Sequence, residues 1–330
     1  MGGNNSNKGR ICVTGGTGYL GSWMVKRLLQ DGYSVNTTIR DNPDNKRDIS
    51  FLTNLPGASE RLQIFHADLD HPDTFAASIH GCTGLFHVAQ PLDFEDKESE
   101  ETKVKRITNG TLGILQACLE AKTVKRVVYT SSVAAAAASQ EAAGSELVDE
   151  SFWTDVDRVR RLGRGSYKVT KALTERLALD FGEKNGLDVV CVLPGWVHGP
   201  FIGPRCPESV CICMALIFGD KKNCERLMRT CLVHVDDVAR AHIHLFEYPN
   251  AKGRYICSSN DITIDELHQL LSARYPQFQI PSPDSWKEIP PVSFPGLSSK
   301  KLLETGFKFE NGLEEMFDGA IKSCKEIRLL

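Results

Sequence analysis

No stretch of this 330-residue chain stays apolar for the ~20 residues that a membrane-spanning helix needs. An excess of one charge is missing too. The formal net charge is −3 and no long basic run occurs, which argues against a nucleic-acid or membrane-surface protein. The opening MGGNNSNKGR lacks the apolar centre of a signal peptide. Gly2 and Ser6 fit the loose N-acylation pattern, which is too permissive to act on. These absences predict a soluble, cytoplasmic protein. There is no CxxC pair and no internal repeat. The eleven cysteines are odd in number and scattered, mostly through apolar runs, where Cys12, Cys118 and Cys191 read as small hydrophobes. CPESVCIC (206–213) has the wrong spacing for a zinc pair and reads as packing.

What is present is an alternation. RICVT (10–14), SVNTTI (34–39), LQIFHA (62–67), GLFHVA (84–89), RVVYTS (126–131) and DVVCVL (188–193) read as strands. Amphipathic stretches such as GSWMVKRLLQDG and RITNGTLGILQACLEAK separate them. Repeated strand, helix, strand predicts an α/β fold: a doubly wound parallel Rossmann sheet, with ligands at the carboxyl ends of its strands. After residue 194 the rhythm gives way to Pro- and Gly-rich sequence. We therefore expect a disordered tail over 1–9 and a Rossmann core over 10–193. Residues 194–330 should form mainly a small substrate lobe, with some segments returning to the core.

VTGGTGYLGSW (13–23) follows the first strand and opens the first helix. Gly15, Gly18 and Gly21, with Tyr19 and Leu20 between them, suit a turn that lets backbone approach a pyrophosphate at a helix N-terminus. The second strand ends in Arg40, with Lys46 and Arg47 close behind. Guanidinium groups there match a 2′-phosphate, so NADP(H) is preferred, while Asp41 keeps NAD(H) possible. Asp68, at the end of the third strand, suits an adenine amino group, the N-cap of the next helix, or both.

YKVTK puts Tyr167 and Lys171 on one helical face, where an ammonium could lower a phenol's pKa for proton transfer. About thirty-five residues earlier, YTSSVAAAAA (129–138) supplies two serines at a strand end, then five alanines. A second YxxxK, Tyr248 with Lys252, contains Pro, follows no strand-end serine and receives no role.

The order glycine turn, serine, tyrosine, lysine resembles that of an extended short-chain dehydrogenase/reductase of the plant dihydroflavonol reductase group. The likeness runs nearly end to end, through RICVTGGTGYLGSW, FLTNLPGASE, KTVKRVVYTSS and MFDGAIKSCKE. The resemblance implies Ser132, Tyr167 and Lys171 as the catalytic set. It implies cofactor contacts from Arg40, Arg47, Asp68, Leu69, Val88, Ala89, Gln90, Pro194, Val197 and Ser209, besides Tyr167 and Lys171. It further implies reduction of a ketone in a plant polycyclic metabolite such as an isoflavonoid or alkaloid, by a monomer or homodimer.

Two positions depart from the group. Its dihydroflavonol-reducing members carry asparagine where this chain has Ala137, so a dihydroflavonol substrate is disfavoured. Gln90 replaces the usual Ser or Thr, as in a lactone-forming member that oxidises a hemiacetal, so NAD(P)⁺-dependent oxidation stays open. The resemblance also makes Gln90, Ser132, Ala137 and Tyr167 substrate contacts. The alanines read either as a smooth wall or as filler of a short helix. A non-catalytic dinucleotide-binding protein remains a third reading. HVDDVARAHIH (234–244) holds three histidines, but His242 and His244 are two apart and face different ways, so no metal is expected. The acidic run 93–101 reads as a solvated loop and helix start.

Overall fold

The computed structural model describes residues 8–40, 48–90, 98–138, 145–163, 165–289 and 296–330. Asp41, Lys46, Arg47 and most of the acidic run lie outside the described residues.

Twelve strands run in chain order: β1 (Arg10–Val13), β2 (Ser34–Ile39), β3 (Leu62–His66), β4 (Gly84–His87), β5 (Arg126–Thr130), β6 (Leu147–Val148), β7 (Val189–Pro194), β8 (Trp196–His198), β9 (Arg229–His234), β10 (Gly253–Cys257), β11 (Asn260–Thr263) and β12 (Gly296–Leu297). Seven build one parallel sheet in the order β10-β7-β5-β4-β1-β2-β3. Strands β2, β5 and β7 are buried at every residue, as expected of a parallel sheet covered on both faces. The order reverses between β1 and β4, and such a switch point opens the crevice in which doubly wound sheets bind ligands.

The structure differs from the expected tail at its inner end, and it identifies two segments of 194–330 that join the core. Gly9, assigned to the tail, already accepts from Ser34 N at 3.0 Å, and Lys8 pairs with Glu247 at 3.2 Å. The seventh strand, β10, comes from residues 253–257, about sixty positions after β7. The helix Val235–Glu247, with His242 and His244 and capped by His234, also packs on the main sheet, beside the helix Tyr19–Gln30.

One apolar core lies between the sheet and these two helices, around Met24, Leu28, Val238 and Leu245. A second lies on the opposite face, where Ile114, Leu115 and Cys118 of the helix Glu100–Ala121 meet Ala178 of the helix Ser166–Asn185. Ser99 caps the former by accepting from Thr102 N, and Glu100 and Glu101 fill its first turn, where a carboxylate complements the helix dipole. A third core, around Met214, Leu216, Met316 and Phe317, belongs to the lobe. The helix Glu208–Cys213 joins it through Val210, Ile212 and Cys213. No helix among the described residues is long and apolar enough to cross a membrane.

Candidate active site

At the carboxyl ends of β1 and β4 the chain is held tightly. Thr14 Oγ1 accepts from Val88 N at 3.0 Å and Ala89 N at 2.9 Å, and its hydroxyl also meets His87 Nδ1 at 3.0 Å. Gly15 then turns with φ +75°, a conformation that favours glycine, and donates to Thr38 Oγ1 at 3.1 Å. A Cβ at Gly21 would stand 2.1 Å from Gly15 O, so the first helix lies against the turn only because residue 21 has no side chain. Gly21→Ala should cost about 1–3 kcal/mol through overpacking, read as a lower thermal midpoint together with weaker dinucleotide binding. An unchanged midpoint would show that the turn yields freely.

One cavity of about 1070 Å³ runs from this turn across the sheet to the lobe. That exceeds the roughly 300–1,000 Å³ of a site for one small ligand and leaves room for two. Every site residue expected from the sequence and described here lines it: Gly15, Gly18, Tyr19, Leu20 and Gly21 at the turn, Arg40 beyond β2, and Asp68 and Leu69 beyond β3. Val88, Ala89 and Gln90 follow β4, Pro194 and Val197 come from the β7–β8 connection, and Ser209 comes from the lobe. Ser132, Ala137, Tyr167 and Lys171 line it near the middle of the sheet.

The groups expected of a dinucleotide site fit. The cradle admits no side chain at Gly21, and Gln90 Oε1 is buried with no hydrogen-bond partner among the described residues. The exposed Arg40 guanidinium has no hydrogen bond or ion pair among the described residues. Asp68 is not a helix N-cap. Its carboxylate accepts from Asp70 N at 3.1 Å, closing a turn, and the following short helix, Pro72–Phe75, starts from His71.

The two serines part ways. Ser131 Oγ donates to the Glu175 carboxylate beneath the site. Ser132 stands beside the Tyr167 hydroxyl, and its Oγ accepts from Ala134 N at 3.2 Å. Lys171 Nζ donates to Thr130 O at 2.9 Å and stands 6.0 Å from the centre of the Tyr167 ring. Burial pulls its pKa down to about 7, against the pull of Glu175. Burial likewise raises the Tyr167 hydroxyl, opposed by Ser132. Lys171 is not among the causes of that shift, and its amine donates to a backbone carbonyl.

The alanine run divides between a tight turn and the cavity wall. Val133–Ala135 make one 3-10 turn and Ala135 and Ala136 are fully buried, whereas Ala134, Ala137 and Ala138 face the cavity. Thr154, unremarked in the sequence, holds the run in place. Its Oγ1 donates to Ala134 O at 2.8 Å and accepts from Ala138 N at 3.2 Å. Glu100 pairs with Arg160 of the helix Val156–Arg161, whose Arg158 and Val159 line the cavity.

The remaining motifs are structural. His234 caps its helix, His242 bonds Thr130 and Val238, and His244 bonds Thr305. Tyr248 O accepts from Arg126 and Lys252 N donates to Tyr255. Among the described residues no cluster of ligating side chains suits a metal.

Residues 11–257 match the NAD dependent epimerase/dehydratase family. Vestitone reductase from Medicago sativa is 51% identical over 321 residues, 97% of this chain and 98% of that protein. Noscapine synthase from Papaver somniferum is 46% identical, over 96% of this chain and 92% of that protein. The crystal structure of the alfalfa vestitone reductase superposes with a TM-score of 0.87, covering 98% of this chain and all of that one at 49% identity.

Proposed function

From the premise that this chain belongs to the NAD dependent epimerase/dehydratase family and is an oxidoreductase of carbonyl and hydroxyl groups, we propose that it uses NADPH to reduce a ketone of a plant polycyclic specialised metabolite. The observation that carries the reading is the meeting of Tyr167, Ser132 and Lys171 in the same cavity as the glycine turn.

When bound, NADPH supplies a hydride to the carbonyl carbon. Tyr167 donates its phenolic proton to the carbonyl oxygen, while the Ser132 hydroxyl holds that oxygen in place. Lys171 stabilises the phenolate left behind. Gly15, Gly18 and Gly21, with Tyr19 and Leu20, receive the pyrophosphate side. Arg40 meets the 2′-phosphate, with Arg47 as a second cation, and Asp68 and Leu69 border the adenine. Val88, Ala89, Pro194, Val197 and Ser209 enclose the rest. Ala134, Ala137 and Ala138 offer the substrate an apolar face with no hydrogen-bonding side chain, which supports a flat, ring-rich molecule. A cytoplasmic location belongs to this reading, and eleven free thiols agree with a reducing compartment. So does action as a monomer or homodimer.

Gln90 favours a second reading. Its buried, unsatisfied Oε1 could accept from the hydroxyl of a hemiacetal, which NADP⁺ or NAD⁺ would then oxidise to a lactone. The test is absorbance at the reduced-nicotinamide band with purified protein against two panels. Polycyclic ketones are offered with NADPH or NADH, and matching alcohols and hemiacetals with NADP⁺ or NAD⁺. We expect NADPH consumption with ketones. Turnover confined to hemiacetals would install the second reading. Silence in both panels, with NADPH still bound, would reject the substrate class.

A further inference from the structure

The helix Ser166–Asn185 places Tyr167, Lys171 and Glu175 four residues apart on one face. Glu175 is completely buried, an unusual place for a carboxylate without a task. Its Oε1 takes the Arg254 Nε–H at 2.5 Å, and its Oε2 takes the Ser131 hydroxyl. Arg254 reaches in from β10. Its other nitrogens donate to Phe152 O at 2.5 Å, Glu150 O at 2.9 Å and Ala135 O at 3.4 Å. Glu175 and Arg254 therefore grip the Ser131–Ala135 segment at both ends, and Ser132 lies between the two grips.

We propose that Glu175 is a positioning residue for the catalytic set, holding Ser132 against Tyr167 through Ser131 and Arg254 and supplying the counter-charge to Lys171. The proposal rests on the reading of Ser132, Tyr167 and Lys171 as catalytic. The titratable and charged groups around Lys171 come from every neighbouring element. They are His87 on β4, Tyr129 on β5, Cys191 on β7, Arg254 on β10, and Tyr167 and Glu175 on its own helix. Burial raises the Tyr129 hydroxyl and the Cys191 thiol and keeps His87 neutral. That leaves Glu175 as the anion among them. Burial pushes its own pKa up, but Arg254, Ser131 and Lys171 each oppose this, and both of its oxygens are occupied by donors. A plain structural ion pair would need only Arg254.

Lys171 is buried but lines the cavity, so a small acylating reagent would reach its amine through the cavity. Competitive labelling with acetic anhydride across pH, resolved by peptide mass spectrometry, reads the titration of Lys171 without cofactor or substrate. Removing the carboxylate favours the neutral amine, so in Glu175→Gln the labelling midpoint should fall by about one pH unit or more. For any ketone turned over, the alkaline limb of kcat should fall with it, adding a roughly ten-fold loss above the midpoint to the pH-independent loss expected from a less firmly held Ser132. Glu175→Asp keeps the charge and should hold the wild-type midpoint. A folded Glu175→Gln whose midpoint matches the wild type overturns the counter-charge. A purely structural role would lower stability and activity equally at all pH values. If Glu175→Gln does not fold, Ser131→Ala serves instead. It should cut kcat about ten-fold at an unmoved midpoint, and unaltered kcat overturns the positioning role. Loss of turnover in Tyr167→Phe tests the catalytic reading separately, so the two failures remain distinct.

Discussion

Tyr167→Phe should lower kcat by about 10²–10⁴-fold, the usual contribution of a positioned acid–base group, while NADPH affinity stays within about three-fold. The side chain is half-buried and phenylalanine fills the same space, so the change deletes one hydroxyl. Ser132 keeps its bond from Ala134 N, and Lys171 keeps Thr130 O. Folding should lose only about 1 kcal/mol for the missing hydroxyl. The check pairs initial rates on a ketone that the wild type reduces with fluorescence titration of NADPH binding. Intact binding with lost turnover identifies Tyr167 as the acid. A protein that merely senses the dinucleotide would have no turnover to lose, and unaltered kcat would falsify the proton-donor role.

The second large effect is acid sensitivity from three buried histidines. Burial holds His87 down to about 3, with Lys171 adding to it, and His198 down to about 3, with His234 adding to it. It holds His242 down to about 4. All three stay neutral in the folded protein below their ordinary value of 6.5, whereas the unfolded chain takes up the protons. Stability is therefore full above about pH 6.5 and is lost as pH falls towards 4. Burial raises Glu150 and Glu175, so those two bind protons first in the folded state and offset part of the loss. A net slope of about two protons, roughly 3 kcal/mol per pH unit near pH 5, follows from linkage. Against a typical stability of about 5–15 kcal/mol, that brings unfolding near pH 4–5. Urea titrations at pH 7.5, 6 and 5 measure the slope. His198 packs on Phe317 at 4.5 Å between ring centres and neither of its nitrogens has a hydrogen-bond partner. His198→Leu should flatten the slope by about one proton. A wild-type stability independent of pH over this range would show that the histidines ionise in place.

Strands such as β5 and β7 were legible as near-continuous apolar runs, because a strand buried on both faces leaves that mark locally. The last strand of the sheet, β10 (GRYIC), is short and contains Arg254, whose charge is neutralised by a glutamate 79 positions away. No local pattern announces such a pair. Glu175 was equally hidden. A charged residue on a helix normally reads as a solvated surface group, and its burial depends on β10 and on Ser131. Conversely, Gly21 and the Tyr167–Lys171 spacing express constraints within one turn or one helix, so sequence alone brings them out. Asp68 misled because a turn and a helix cap ask for the same side chain.

The late arrival of β10 has a consequence for synthesis. Its partner β7, Val-Val-Cys-Val-Leu-Pro, is entirely buried in the finished sheet. While the chain is being made, the outer edge of β7 has no strand to pair with until about sixty more residues have been added. At about 5–20 residues per second, that is roughly 3–12 s on the ribosome with an apolar β edge unsatisfied. Such an edge is a template for pairing with another chain. The nascent protein is thus most exposed to aggregation just after its cofactor half has been translated, and closure of the sheet by Arg254 and its neighbours ends that interval.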